Sequence, residues 1–461
     1  FRRVLFRSLV TWLADPATRV RALRALGTWP DEVTTSAVLG AWGAFSPEEQ
    51  REAVAVLTSY SGGALAVLEG IGAGRLGAPS LIAPTDARRI QEMSADHARA
   101  LDAVWGSLRP VTGDKLAQLA SWKERLTDER LAAADLNHGR AVYAKTCQRC
   151  HQLFDAGAAV GPGLTGSNRA DLDYLLRNLI DPSAEIPADY RAEIVATVDG
   201  RILTGVIARE TPELLVLSTE TGSLELDKTD IEARRTDPNS LMPEGQLDAL
   251  TEEEAVDLVA YLGSDSQVAR RLLPGEEGEF FDGKTLTGWT GDPELWSVED
   301  GVIVGKTDGL AKNAFLISDF DLADFRLIVD VKLEPDTENS GIQFRSTPLA
   351  DGDIKGYQAD IGAGWWGKLY DEHGRGILVE DVEDHHRPGE WNTYEILAVG
   401  SHVQLALNGH RTVHFIDSEE RRGGRIAPQV HSGGAMEVSF RIRSLELDPE
   451  SPGLTTTGSD R

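Results

Sequence analysis

CQRCHQLFDAGAAVGPGLTG, residues 147–166, holds both cysteines of a 461-residue chain. Cys147 and Cys150 lie one helical turn apart, and His151 follows directly. Thiols at that spacing project toward a common ligand, and the imidazole beside them adds a strong metal donor. Whether these three side chains serve a cofactor decides how the middle of the chain folds.

C-x-x-C-H is the spacing of covalent c-type haem attachment. Cys147 and Cys150 would each bond one vinyl group of a porphyrin, and His151 would ligate the iron from the same side. Two other readings stay open. A thioredoxin-like redox pair needs a βαβ setting, whereas the flanks here read as helix. A zinc site needs a fourth ligand from elsewhere in the chain.

Working outward, residues 1–110 read as short amphipathic helices. Ser46-Pro47-Glu48-Glu49 is a capped start with acids at the positive end of the dipole. Paired short helices suggest a solenoid-like, HEAT-like part. A linker helix is expected over 111–136. The haem-bearing helical segment covers 137–265, with a β insertion over about 191–235 whose turns fall at Asp199-Gly200 and Thr221-Gly222. Thr251-Glu252-Glu253-Glu254 opens the closing helix as a capping box. Residues 266–278 read as a linker. From 279 to 449, alternating runs rich in glycine and aromatics predict an all-β sandwich or jelly roll. Residues 450–461 read as a disordered tail.

The formal charge of −28 argues against nucleic acid as a partner. No apolar run approaches the roughly 20 residues of a spanning helix. No signal peptide is visible, and the chain does not begin with Met, so it reads as a fragment.

The stretch GPGLTG resembles the G-P-x-L-x-G segment of class I cytochrome c domains. That resemblance implies that the Pro162 carbonyl accepts the second N–H of His151 and that Leu164 packs on the haem. It also implies an axial methionine before the last helix, a role that falls to Met242; the alternative is a loop methionine packed on apolar surface. Residues 137–262, with LIDPSAEIPADYR and LMPEGQLDALTEEEAVDLVAYL, resemble the haem-binding domain of large planctomycete-type proteins. Haem attachment of this kind implies a periplasmic or other extracytoplasmic location.

In the β part, FFDGKTLTGW, NSGIQFRS, GYQADI, GKLYDEHGRG, PGEWNTYEI, LNG and GRIAPQVHSGGAMEVSFRIRSLEL occur in that order. Together they resemble the 3-keto-disaccharide hydrolase domain, which implies a concanavalin-like jelly roll and a 3-keto-glycoside or other carbohydrate as ligand. Trp289, Trp296 and Trp391 are expected in the core. Trp365 and Trp366 stand among glycines, where they would stack on a pyranose. Alternation puts Gln343 with Arg345, Gln358 with Asp360, and Gln429 with His431 on shared faces. Glu372, His373 and Arg375 share a Gly-bounded loop, with Lys368 and Tyr370 just before it. A ketone at C3 acidifies the C2 proton, so cleavage by elimination needs a base, an enolate stabiliser and an acid. Asp360, Glu372, His373 and His431 are the candidate acids and bases. Arg345, or a divalent metal, is the candidate stabiliser. The family commonly has Glu and Gln where this chain has Gln358 and Asp360. Two functions are open: cleavage of keto-sugars beside an electron carrier fed by a partner such as a sugar dehydrogenase, or a carbohydrate-binding scaffold for a cytochrome.

Overall fold

The computed structural model describes residues 2–419, 423–450 and 453–455. Most of the expected tail lies outside the described residues. The chain divides into two compact units, residues 1–135 with 142–266, and residues 136–141 with 267–461.

The first unit opens with helices from Arg2–Trp12 to Ala95–Val104. The helix Pro47–Leu57 starts as expected: Ser46 Oγ accepts from Glu49 N–H at 3.2 Å, and Glu49 accepts from Ser46 N–H at 2.7 Å. Leu23, Leu26, Val54, Leu57 and Val67 are fully buried in a common core. The linker helix is in fact two helices, Gly113–Arg125 and Asp128–Ala132, broken where Thr127 caps the second.

Residues 106–108 form a strand that pairs antiparallel with Glu185–Pro187. Ser80 N–H donates to Asp189 at 3.1 Å, and Arg109 Nε donates to the Ser183 carbonyl at 2.9 Å. The segment 183–190 is therefore tied to the preceding helices. The β insertion is a five-stranded antiparallel sheet from Ala192–Thr197 to Ile231–Thr236. Its turns use Gly200 and Gly222 at φ +85° and +124°, as the Asp-Gly and Thr-Gly pairs require. Thr251 and Glu254 form the expected capping box on the helix Glu252–Gly263.

The second unit is an antiparallel jelly roll, with sheets of seven and six strands. Phe325, Val331, Phe344, Tyr357, Tyr394 and Ile396 fill the space between them. The expected linker is partly built into this unit. Arg270–Arg271 pairs parallel with Phe320–Asp321, and Leu272 enters the core. Trp289 and Trp296 are buried as expected. Trp391 is only half-buried, with the Arg441 guanidinium 4.3 Å above its ring. It follows a turn and lies outside the strand Asn392–Val399, so alternation does not turn it inward.

Candidate functional site

The haem-type motif is a continuation of the helix Leu136–Thr146. Cys147 N–H donates to Tyr143 O at 2.8 Å, and His151 N–H donates to Cys147 O at 2.9 Å. Tyr143 OH holds the His151 carbonyl at 2.7 Å. His151 Nδ1 lies 2.8 Å from the Pro162 carbonyl. A carbonyl only accepts, so Nδ1 carries the proton and Nε2 keeps its lone pair for a metal. Gly161 makes this approach feasible, because a Cβ there would sit 2.6 Å from the His151 ring. Burial lowers the His151 pKa, against the bond to Pro162, and so favours the neutral, ligating imidazole. Burial raises both thiols; Cys147 and Cys150 are free, not bridged to each other.

These groups line one cleft. Pro162, Leu164, Leu175 and Leu179 contribute to its wall, with Val206 from the β insertion. Met242 also lines it; Ser240 Oγ accepts the Met242 N–H at 3.1 Å, and Ser183 Oγ accepts the Ser240 N–H at 3.1 Å. The donor set fits a haem: two thiols, an imidazole with a fixed tautomer, a thioether and apolar walls. Among the described residues no group of three or more His, Cys, Asp or Glu is placed to hold a metal. Among the described residues, the zinc reading finds no cluster with a further ligand, and the divalent metal offered as an alternative stabiliser in the jelly roll finds none either. The flanks of the cysteine pair are helix and loop, not βαβ, which also removes the thioredoxin-like reading.

The second constellation lies on the six-stranded sheet. Ile342 and Phe344 face the core, whereas Gln343 faces away from it and sits opposite Gln358 of the next strand. Gln343 donates to Gln358 Oε1 at 2.8 Å, Gln358 donates to Asp360 Oδ1 at 2.6 Å, and Ser346 donates to Gln343 at 2.9 Å. Gly341 leaves room for this chain: a Cβ there would meet the Gln358 side chain at 2.3 Å. Gln429 lies on the same face. Tyr370 is opposite Gln358, and Glu372 is opposite Gly356.

Gln343, Gln358, Asp360 and Gln429 form a buried layer. Asp360 Oδ2 and Gln429 Oε1 are buried without a partner. Burial pushes the Asp360 pKa up to about 7, the Gln358 bond opposes this, and the nearby Glu372 carboxylate adds to it. Glu372, His373, His431, Lys368, Tyr370 and Trp365 are more accessible. Burial also raises Glu372, with His373 opposing and Asp353 adding. The Asp353 bond raises His373. His431 Nδ1 donates to Ser432 O at 2.6 Å. Trp365 and Tyr370 meet edge to face at 6.5 Å, and Lys368 Nζ lies 5.3 Å from the Trp365 ring centroid.

Three expected members are elsewhere. Arg345 sits in a register shift at φ +44°, which takes it off the face of Gln343. Its guanidinium donates to the carbonyls of Ala323 (2.9 Å) and Gly400 (2.7 Å) and to Asp324 at 2.8 Å. Arg345 is thus a structural buried cation, not an enolate stabiliser. Trp366 packs inside the core, stacked on Tyr394 and His386, and does not offer a sugar platform. Arg375 donates to Asp371 at 2.9 Å and Asp417 at 2.8 Å, on the side opposite Tyr370 and Glu372. Asp353, which sequence reasoning missed, lies 2.9 Å from His373 Nε2.

The cleft around Cys147, Cys150 and His151 and the polar-faced jelly roll each fall in a segment that matches a known family. Residues 134–196 match the family described as cytochrome c oxidase, cbb3-type, subunit III. Residues 276–445 match the 3-keto-alpha-glucoside-1,2-lyase-like domain. Among curated proteins none matches the chain. Similar solved structures include a candidate glycosyl hydrolase from Parabacteroides distasonis, 21% identical, covering 39% of this chain and 99% of that one at a TM-score of 0.29. The carbohydrate-binding module CBM66 from Bacillus subtilis is 19% identical and covers 34% of this chain and 95% of that one, also at 0.29.

Three outcomes are expected from this geometry. In protein matured with haem, Met242→Ala removes the weak long-wavelength absorbance band that marks a thioether on ferric iron; persistence of the band would assign the sixth position to another group. Arg345→Ala destabilises the jelly roll by roughly 2–4 kcal/mol, measured by denaturant unfolding, because the Ala323 and Gly400 carbonyls lose a buried charged donor while Asp324, 35% exposed, can turn to water. Asp360 makes stability fall with rising pH. Its folded pKa of about 7 exceeds the ordinary 3.8, so its stabilising contribution is complete below that ordinary value and is lost as pH rises through 7. Asp360→Asn therefore loses less stability than the wild type between pH 5 and pH 8, on the order of a few kcal/mol.

Proposed function

We propose that this chain is an extracytoplasmic electron carrier whose jelly roll cleaves 3-keto-glycosides by elimination and hydration. The carrying observation is the polar sheet face on which the accessible Glu372 carboxyl stands with Tyr370, Gln358 and the buried Asp360; burial raises the pKa of both carboxyl groups. Glu372 is the reachable one and takes the C2 proton. Asp360 is buried farther along the same face, and the Glu372 carboxylate helps keep it protonated. Trp365 and Tyr370 present a right-angled aromatic corner against which a pyranose ring packs. Lys368 and His431 stand where developing negative charge on the sugar oxygen would be stabilised.

In the other domain, bound haem would supply one-electron transfer. Cys147 and Cys150 would hold the group, His151 and Met242 would ligate it, and Pro162 orients His151. A redox partner, such as a sugar dehydrogenase that makes the 3-keto group, would deliver the electrons. The helical part would dock that partner as HEAT-like repeats. No described helix is long and apolar enough to cross a membrane.

A second reading has its own support: a binding module that anchors the cytochrome to polysaccharide. Burial of Asp360 Oδ2 favours it, because a module that only binds needs no exposed base. One experiment separates the two. The full chain is incubated with a 3-keto-α-glucoside and the released aglycone is followed. Turnover supports the lyase; sugar binding without release supports the scaffold.

A further inference from the structure

We propose that Asp353 positions His373 to protonate the departing glycosidic oxygen. The inference rests on the lyase reading above and assigns its missing acid. His373 Nε2 lies 2.9 Å from Asp353 Oδ2 and 3.9 Å from Glu372 Oε1. Asp353 is itself fixed: its Oδ1 accepts the Ile354 N–H at 2.9 Å, and its carbonyl accepts the Leu349 N–H at 2.8 Å. His373 sits at φ +50° in a turn closed by Gly374 N–H on Asp371 O at 3.1 Å. Both partners are thus held by backbone, and the ring stays 45% exposed. With Nε2 committed to Asp353, Nδ1 is the nitrogen left for a ligand.

The step balances without an oxidant. Glu372 takes the C2 proton, and the C2–H electron pair becomes the C1=C2 double bond. The C1–O pair leaves on the aglycone oxygen, which takes the Nδ1 proton. His373 ends neutral, still bonded to Asp353. Addition of water reverses both transfers: hydroxide bonds to C1 while its proton returns to His373, and Glu372 returns its proton to C2. Three carboxylates face the ring, Asp353, Glu372 and Asp351, and all favour its protonated form.

The test compares two 3-keto-α-glucosides, one with a 4-nitrophenol and one with a methanol leaving group. Nitrophenolate departs without help, whereas methoxide needs a proton. Asp353→Asn and His373→Gln should each lower the methyl-to-nitrophenyl rate ratio about 100-fold, the ordinary worth of a positioned acid. Asp353→Asn should also move the alkaline limb of the methyl-glycoside profile to lower pH, since the lost carboxylate no longer favours the imidazolium. An unchanged ratio in both variants, with an active wild type, overturns the assignment and leaves the lyase reading intact. A wild type inactive on both substrates overturns the lyase reading itself, and this assignment with it.

Discussion

Cys147→Ala/Cys150→Ala, expressed with a working attachment system, is expected to emerge at the mass of the bare polypeptide and without colour. The wild type should carry one porphyrin. The effect is complete because no other cysteine exists to bond a vinyl group. His151 keeps its Pro162 hydrogen bond in the double variant, so the imidazole remains ready to ligate, and any haem held is extractable. The variant should also melt earlier. Val160, Leu175, Leu179 and Leu262 line the cleft, and a group that binds the folded state stabilises it. Mass spectrometry and the absorbance of periplasmically matured protein read the result. A wild type at bare mass would remove the haem and with it the electron-transfer role.

How much of this was legible beforehand depended on locality. The Cys-x-x-Cys-His turn and the capped helix starts at Ser46 and Thr251 arise from residues near one another in sequence and appear where their spacing puts them, while the Pro162 contact is the one implied by the resemblance to cytochrome c segments. Alternation placed Ile342 and Phe344 inward with Gln343 opposed, and it paired Gln358 with Asp360. It failed one step later at Arg345, where a register shift and a positive φ intervene without a glycine to mark them. Trp365 and Trp366 were indistinguishable in a glycine-rich loop; only the neighbouring sheet, through Tyr394, decides that Trp366 goes inward. Asp353 was invisible because it meets His373 through hairpin register. Gly356 pairs with Glu372, which brings the residues just before and just after them together. The strand at 106–108 was equally hidden, since its partner lies almost eighty residues away.

Glu372→Gln is expected to lower turnover of a 3-keto-α-glucoside by roughly 10²- to 10⁴-fold, with little change in KM. Glutamine keeps the size and hydrogen-bonding reach of the side chain but cannot accept a proton from carbon. The wild-type rate should rise with pH along an acid limb, because only ionised Glu372 is a base. Burial holds that limb above the ordinary carboxylate range, while His373 pulls it down and Asp353 pushes it up. The limb should vanish in Glu372→Gln. In Asp360→Asn the limb should stay where it is, since Asp360, with its pKa raised to about 7, is uncharged while Glu372 ionises. An unmoved limb with retained turnover distinguishes a base at Glu372 from a base at Asp360. If Asp360 were the base, Asp360→Asn would abolish turnover and Glu372→Gln would leave most of it. That reversal would require the unpartnered Oδ2 of Asp360 to become exposed when sugar binds.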